Sequence, residues 1–386
     1  MKIPISKKLP KPLHMAIATT TGFHLVYLAR EICRCGIPLD YYSYHPKFRI
    51  KSDGVSDESS VSYFVGALPT SLLALQRVSK HLQLESVEYL LAKSDRLISQ
   101  RLKPCATFVG LSGMSHMCAL AAKNNYDAKI IIDRGSLHVL AQAHQVRNAP
   151  TPVLSDNYIQ RELNSYAVAD WIAVPSQAAL NSFIKEGFPA GRLFVNPYGV
   201  DLQLLRPTNA TSDRFTVGFL GNWSYQKGVD VLQEALTGMH DVDLLHGGTV
   251  GDIVYPRNAR FRSLGHVHKQ MLSKFFKNID VLALPSRQDG FGLVMLEALA
   301  SGVPVIASEC TGGPDIRAVI ENKESIRIVQ VESVNQLREA ILEQKCKWRK
   351  HSQSAARKIF SCRDEEYFSW RGYANRYLHF LGYEMP

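Results

Sequence analysis

The sequence predicts an α/β protein with two Rossmann-like halves, each a parallel sheet with helices on its faces. Short apolar runs alternate along the chain with segments whose apolar residues recur at helical spacing. A strand, a glycine-bearing turn, a helix and a second strand open the chain, and a similar unit begins again near residue 215. The length of 386 residues is enough for about two domains with sizeable cores.

The first half opens with a strand over residues 13–20, followed by the turn T-T-G-F-H and a helix that Gly36 ends. Gly22 in this turn lets a ligand approach the backbone closely, although a tight turn explains the glycine equally well. The turn has no G-x-G-x-x-G pattern, which argues against a dinucleotide site. The pattern predicts further strands at 37–44, 106–111, 129–133 and 171–174, helices at 25–35, 71–80, 84–99, 116–123, 157–168 and 176–186, and an exposed loop at 51–60.

Polar side chains follow the strand 129–133 in the run D-R-G-S-L-H. Ligands bind open α/β sheets just beyond the carboxyl ends of the parallel strands. His138 could therefore hydrogen-bond a sugar hydroxyl, and Arg134 could offset phosphate charge. A histidine beside a strand end also serves purely structural roles, so the residues alone leave both readings of His138 open.

The chain divides near residues 200–207, where Pro197, Gly199 and Pro207 interrupt the periodic segments. We therefore expect a first domain over residues 1–205 and a second over residues 206–362. The second half predicts strands at 215–220, 242–246, 280–284, 303–307 and 326–329, and helices at 229–237, 269–277, 291–299, 315–319 and 334–345.

The loop G-N-W-S-Y-Q-K-G follows the first strand of the second half and places Lys227 just before a helix. An ammonium group there can reach a phosphate, although a solvated lysine at a helix start has the same pattern. The run D-V-D at 241–243 enters a strand with alternating residues. We read it as surface charge and predict no metal site.

Residues 280–313 form a strand, a loop, a helix and a second strand. The loop contains Asp289, Gly290 and Gly292, and free backbone N–H groups at the following helix start can bind an anion. Glu297 lies inside an otherwise apolar helix. A buried carboxylate is costly unless a partner satisfies it, so this residue is a candidate ligand contact.

The run D-G-F-G-L-V-M-L-E, from Asp289 to Glu297, resembles the donor site of family-4 retaining glycosyltransferases, which have the two-domain GT-B fold. The flanking S-R, A-S-G-V-P-V-I-A-S and G-G runs share the resemblance, as does Y-G-V-D before the second domain. It implies two Rossmann-like domains that face each other across a cleft, with residues 363–386 returning to the first domain. The aromatic residues that could supply the apolar face of this last segment are Phe368, Trp370, Tyr373 and Tyr377.

The resemblance also implies that individual residues hold a nucleotide sugar. Asp289 would bind hydroxyls of the donor sugar, Glu297 would bind the ribose hydroxyls, and Lys227 would contact the phosphates. The implied catalytic residues are Asp289, Lys227 and His138. The donor side would comprise Gly221, Asn222, Val267, Arg287, Gly290, Phe291, Gly292, Leu293 and Glu297, and the acceptor or phosphate side Gly22 and Arg134.

Two positions depart from the family pattern. Asp289 replaces the usual glutamate and shortens the reach by one methylene. Asn222 replaces the usual arginine and hydrogen-bonds only as a neutral group. Either Arg287 compensates for the missing cation, or phosphate binding is weaker.

Charge and cysteine content limit the setting. The net charge is +10, and residues 1–200 carry 22 Lys and Arg against 14 Asp and Glu. This excess suits an anionic membrane surface, although solubility alone accounts for it as well. Nucleic acid is not expected, because the basic half shows no recognisable binding helix or aromatic platform. The seven scattered cysteines and the lack of a long apolar run favour a cytoplasmic protein, with peripheral attachment to the inner face of a membrane as a further hypothesis.

The predicted function is that of a metal-independent retaining glycosyltransferase. It would move a sugar from a UDP- or GDP-linked donor to a saccharide or lipid-linked acceptor, without a cofactor. Two other readings remain: a sugar-nucleotide epimerase or phosphorylase on the same fold, and a non-catalytic binding module whose donor site has decayed.

Overall fold

The computed structural model describes residues 14–19, 23–63, 80–145, 154–207, 214–351 and 358–383. Gly22 and almost all of the predicted helix 71–80 lie outside these residues. Among the described helices, none combines the length and the apolar composition that crossing a membrane requires.

The first domain contains a parallel sheet covered by helices. Its strands are β1 Met15–Thr19, β2 Leu39–Ser43, β3 Ser60–Ser62, β4 Thr107–Leu111, β5 Lys129–Asp133, β6 Trp171–Val174 and β7 Leu193–Val195. They pair in the order β3-β2-β1-β4-β5-β6-β7. The helices are Leu25–Arg34, Lys47–Ser52, Lys80–Ser99, His116–Tyr126, Val139–Gln145, Asp156–Val168 and Gln177–Lys185. Every residue of β1 and β4 is buried, as expected where helices cover both faces of a parallel sheet.

The second domain repeats this arrangement. Its strands are β8 Phe215–Leu220, β9 Val242–Gly247, β10 Phe261–Ser263, β11 Val281–Leu284, β12 Val305–Ser308 and β13 Ile326–Val329. They pair, again in parallel, in the order β10-β9-β8-β11-β12-β13. The helices are Val229–Ala235, Leu272–Lys277, Val294–Ala300, Gly313–Val319 and Val334–His351.

Each sheet has one point where the strand order reverses, between β1 and β4 in the first domain and between β8 and β11 in the second. The loops that leave two such strands diverge to opposite sides of the sheet and open a crevice. Ligands of open α/β sheets bind in that crevice. We therefore expect functional side chains near these two points.

The chain ends with helices Cys362–Tyr367 and Trp370–Phe380. The helix Trp370–Phe380 packs on the helix Leu25–Arg34, and Trp370 stacks on Tyr27 with 4.3 Å between ring centroids. The aromatic face predicted for this segment is buried. The structure thus confirms the predicted fold class, with two Rossmann-like domains and C-terminal helices that return to the first domain.

Several predicted boundaries differ from the structure. The helix predicted at 291–299 begins at Val294, because Gly292 has φ +79° and keeps the preceding residues in the loop. The run predicted as helix 269–277 is a short 3₁₀ turn, Lys269–Met271, followed by an α-helix. The strands β3 and β10 have three residues each and were not predicted, since runs this short carry little periodicity.

Candidate active site

Lys227 and Asp289 meet at the point of strand reversal in the second sheet. Lys227 closes a 3₁₀ turn after β8, and Asp289 lies in the loop after β11. Gly228 permits the meeting, because a Cβ there would lie 2.1 Å from the carbonyl oxygen of Pro285. The Lys227 Nζ donates to Asp289 Oδ2 over 2.6 Å, and both side chains keep partial exposure. The ammonium has three N–H donors, so two remain without a partner among the described residues.

The residues after Asp289 present unpaired backbone donors. Among the described residues, the N–H groups of Gly290, Phe291, Gly292 and Leu293 donate no hydrogen bond. They lead into the helix Val294–Ala300, whose first turn adds positive electrostatic potential. Buried N–H groups are rarely left unpaired, so this run is suited to the oxygens of an anionic or hydroxylated ligand.

The loop that carries Asp289 also touches the first domain. The Oγ of Ser176 donates to the carbonyl oxygen of Gly290 over 2.6 Å, and the Gln288 amide donates to Ser136 Oγ over 2.7 Å. A Cβ on Gly290 would lie only 2.1 Å from the carbonyl oxygen of Gly135. The loop after β11 and the turn after β5 are therefore in direct contact, and glycine makes that contact possible.

Glu297 is partly buried on the helix Val294–Ala300, and its carboxylate has no hydrogen-bond partner among the described residues. Desolvation by burial raises its pKa from 4.5 to about 7, although the charge of Lys269 lowers it in part. A carboxylate kept in this costly state without a partner fits the predicted ribose contact. The opposing charge comes from Lys269, while Lys227 pairs with Asp289.

Lys269 was not among the predicted site residues. Its ammonium lies 3.1 Å from Asp201 in the linker and 3.2 Å from the Tyr27 hydroxyl in the first domain. It thereby joins both domains beside Glu297. The sequence held no signal for this role, because the partners are 68 and 242 positions away.

Arg287 does not supply the missing phosphate cation. Its guanidinium forms two 2.7 Å hydrogen bonds to Asp230 and a third of 2.7 Å to Glu332. It also lies over the Tyr225 ring. With two carboxylates attached, it holds the loop after β11 against the loop after β8 and has little charge left for a ligand.

The other predicted donor-side residues lie in the turn after β8 and beside the end of β9. Asn222 is exposed, and its Oδ1 accepts from Thr249 over 3.0 Å. The carbonyl oxygen of Gly221 accepts from the buried His246 ring over 3.0 Å. Val267 packs against Gly247, where an added Cβ would lie 2.6 Å from its methyl carbon. Gly221 and Asn222 lie between β8 and the 3₁₀ turn that ends at Lys227.

Arg134 has a different environment from the one its sequence position suggested. Its guanidinium donates to Glu162 over 2.5 Å, and also to Gln142, Tyr158 and the Leu137 carbonyl. The side chain is 4% exposed. These contacts correct the predicted phosphate role: the guanidinium is occupied within the first domain, where it holds the turn that faces Gly290.

His138 is buried between the rings of Tyr166 and Phe183. Its Nδ1 accepts from the backbone N–H of Leu140, and its own backbone N–H donates to Ser182. Desolvation, together with the nearby Arg134 charge, lowers its pKa to about 4, so the ring is neutral at pH 7. All of its contacts among the described residues are within the first domain, which favours the structural reading left open by the sequence.

Comparison with known proteins places this geometry in a family. Residues 214–344, which include Lys227, Asp289 and Glu297, match the family model described as "Glycosyl transferases group 1". Residues 214–344, less than half of the chain, are therefore similar to a group 1 glycosyl transferase domain. Comparison with solved structures covers nearly the whole chain. HepE of Anabaena, in complex with UDP and glucose, aligns with a TM-score of 0.65 at 15% identity, over 96% of this chain and 100% of that chain. The fold is therefore GT-B.

Curated relatives align with part of the chain. An uncharacterized glycosyltransferase of Methanocaldococcus jannaschii is 31% identical over 137 residues, 31% of this chain and 35% of that protein. A GDP-mannose-dependent alpha-mannosyltransferase of Mycobacterium tuberculosis is 29% identical over 167 residues, 39% of this chain and 42% of that protein. The chain thus spans less than half the length of these relatives.

Proposed function

We propose that this protein transfers a sugar from a nucleoside-diphosphate sugar to a hydroxyl of a saccharide or lipid-linked acceptor, with retention of configuration at the sugar. The observation that carries the proposal is the Lys227–Asp289 pair beside four unpaired N–H groups, at the point of strand reversal in the second sheet. Cationic and neutral donors there suit a diphosphate, and the Asp289 carboxylate suits sugar hydroxyls.

The transfer breaks the bond between the anomeric carbon and the β-phosphate oxygen and forms a bond to the acceptor oxygen. Negative charge grows on the departing phosphate. Lys227 and the N–H groups of residues 290–293 would stabilise that charge without a metal, because they are already oriented before the reaction begins. The acceptor proton would leave with the phosphate on the same face of the sugar.

The nucleoside would lie toward Glu297, whose unpartnered carboxylate can accept from both ribose hydroxyls. UDP- and GDP-linked donors both remain candidates: HepE was solved in complex with UDP and glucose, and the mycobacterial relative is named as GDP-mannose-dependent. The first domain would present the acceptor. The excess of positive charge in residues 1–200 supports an anionic membrane surface as the place where a lipid-linked acceptor is met.

The test is a screen of UDP- and GDP-sugars, first alone and then with saccharide acceptors, using wild type and Lys227→Ala. Loss of a preorganised donor typically costs about 10²–10³ in rate, so we expect Lys227→Ala to lose at least 100-fold in transfer with an unchanged fold. Lys277→Ala is the matched control. Lys277 is an exposed lysine on the helix Leu272–Lys277, which precedes β11, so it lies near the amino ends of the strands.

Each alternative has its own signature in this screen. A normal rate in Lys227→Ala would refute the assigned site. Conversion of the nucleotide sugar without any acceptor would show an epimerase. Absence of thermal stabilisation by any nucleoside diphosphate would show a decayed donor site.

A further inference from the structure

A second pair of side chains lies at the point of strand reversal in the first sheet. His24 follows β1 at the start of the helix Leu25–Arg34, and Asp133 ends β5. β1 and β5 flank β4, so the two side chains reach toward each other across its carboxyl end. His24 Nε2 and Asp133 Oδ1 are 2.7 Å apart. This arrangement parallels the Lys227–Asp289 pair in the second sheet.

The surroundings of Asp133 determine which nitrogen of the His24 ring donates to it. Asp133 is 2% exposed, and its Oδ2 accepts from the hydroxyls of Tyr373 at 3.1 Å and Tyr377 at 2.7 Å. Because an ionised carboxylate only accepts, His24 Nε2 must donate to it. When the ring is neutral, its proton is on Nε2 and a lone pair is at Nδ1. This Nδ1 has no hydrogen-bond partner among the described residues.

Tyr198 connects the His24–Asp133 pair with the loop after β11. The His24 ring packs on Tyr198 at 4.4 Å, and Tyr198 packs on Phe291 at 5.5 Å between ring centroids. Tyr198 is 8% exposed, and its hydroxyl has no partner among the described residues. It faces Gly135, the residue that touches Gly290. The His24 ring and the buried, unpaired Tyr198 hydroxyl therefore lie beside Gly135, on the first-domain side of its contact with Gly290.

We propose that His24 and Asp133 form the hydroxyl-binding subsite for the acceptor saccharide. Nδ1 of His24 accepts a hydrogen bond from an acceptor hydroxyl, and Asp133 holds the ring in the tautomer that makes this possible. The first domain is the source of the pair, whereas the proposed donor contacts come from the second domain. This assignment rests on the glycosyl transfer proposed above.

The test uses His24→Phe and Asp133→Asn in the full-length protein. Phenylalanine keeps the ring packing on Tyr198 but has no lone pair. In Asp133→Asn the tyrosine hydroxyls still donate to the side-chain oxygen, so the new amide donates to Nε2 and moves the ring proton to Nδ1. We expect both variants to lose at least tenfold in kcat/KM for the acceptor, while the Kd for the nucleoside diphosphate stays within twofold.

His14→Phe is the matched control. His14 forms a 2.6 Å pair with Asp40 at the amino ends of β1 and β2, whereas His24 and Asp133 lie at the carboxyl ends of the strands. We expect this variant to keep wild-type kcat/KM. A change below twofold in His24→Phe would overturn the proposal, and so would equal weakening of nucleotide binding, because the pair would then serve the donor.

Binding to a glycan array separates this inference from the proposed transfer. If the wild type transfers no sugar from any donor, the transfer proposal fails. Glycan binding that His24→Phe abolishes would still support the subsite. Glycan binding that His24→Phe leaves unchanged, or no binding by the wild type, would refute it.

Discussion

Replacing Glu297 with glutamine should change the stability of the free protein and its affinity for nucleotide in opposite directions. Glutamine keeps the shape of the side chain and removes its charge. Burial raises the pKa of Glu297 from 4.5 to about 7. At about 1.4 kcal/mol for each tenfold change in proton affinity, the whole rise in pKa would correspond to about 3.5 kcal/mol. Contact of the carboxylate with solvent reduces our expectation to about 1–2 kcal/mol.

The sign of this effect depends on pH. The folded protein binds the Glu297 proton more tightly than the unfolded chain does, so its carboxylate destabilises the fold increasingly as pH rises from about 4.5 to 7. Glu297→Gln should therefore be more stable than wild type at pH 8 and nearly equal at pH 5. For a domain of this size, about 1–2 kcal/mol corresponds to a Tm increase of roughly 2–8 °C.

Nucleotide binding should respond in the other direction. The substitution removes a charged acceptor for the ribose hydroxyls, and hydrogen bonds to charged groups are worth about 1.5–3 kcal/mol. We expect the Kd for UDP or GDP to rise at least about tenfold at pH 8, measured by titration calorimetry. Glu339→Gln, at an exposed position of the helix Val334–His351, is the control and should change neither property. An unchanged Tm at pH 8 together with an unchanged Kd would refute the assignment of Glu297.

The same contacts lead to three further predictions. In the wild type, affinity for a nucleotide sugar should fall about tenfold from pH 8 to pH 6 as Glu297 takes up its proton, and a flat profile by calorimetry would contradict this. Gly290→Ala should reduce transfer at least tenfold, since its Cβ would meet a carbonyl oxygen of the first domain, whereas Gly191→Ala, with open space around it, should have normal kinetics. Arg134→Met should lower the free energy of unfolding by about 3–5 kcal/mol, because it leaves Glu162 buried without its cation, and a loss below 1 kcal/mol in denaturant titration would count against that pairing.

Local patterns were enough to predict that Lys227 and Asp289 lie close together. Lys227 and Asp289 each follow a strand that the apolar runs identify, and the ends of parallel strands share one edge of a sheet. Their meeting at 2.6 Å required only that β8 and β11 be neighbours. The unpaired carboxylate of Glu297 could likewise be predicted, because a charge inside an apolar helix is visible in the sequence.

The remaining contacts depend on which distant segments meet, and periodicity carries no such information. Arg287 had the charge that a phosphate needs, yet its partners are Asp230 and Glu332. Arg134 is likewise occupied by Glu162. A cation in a loop therefore indicates a phosphate contact only when N–H donors remain free after its ion pairs are formed, as they do for Lys227.

The two points of strand reversal together suggest how the two substrates are brought to one place. In the second sheet, a lysine after the first strand pairs with an aspartate across the crevice, leaving N–H donors free for a phosphate. In the first sheet, a histidine after the first strand pairs with an aspartate, leaving a lone pair free for a hydroxyl. Gly290 and Gly135 bring the loop after β11 and the turn after β5 into contact without an intervening side chain. Tyr373 and Tyr377 reach the His24–Asp133 pair from the helix Trp370–Phe380. The segment that returns to the first domain thus contributes hydrogen bonds, as well as packing, next to the proposed acceptor subsite.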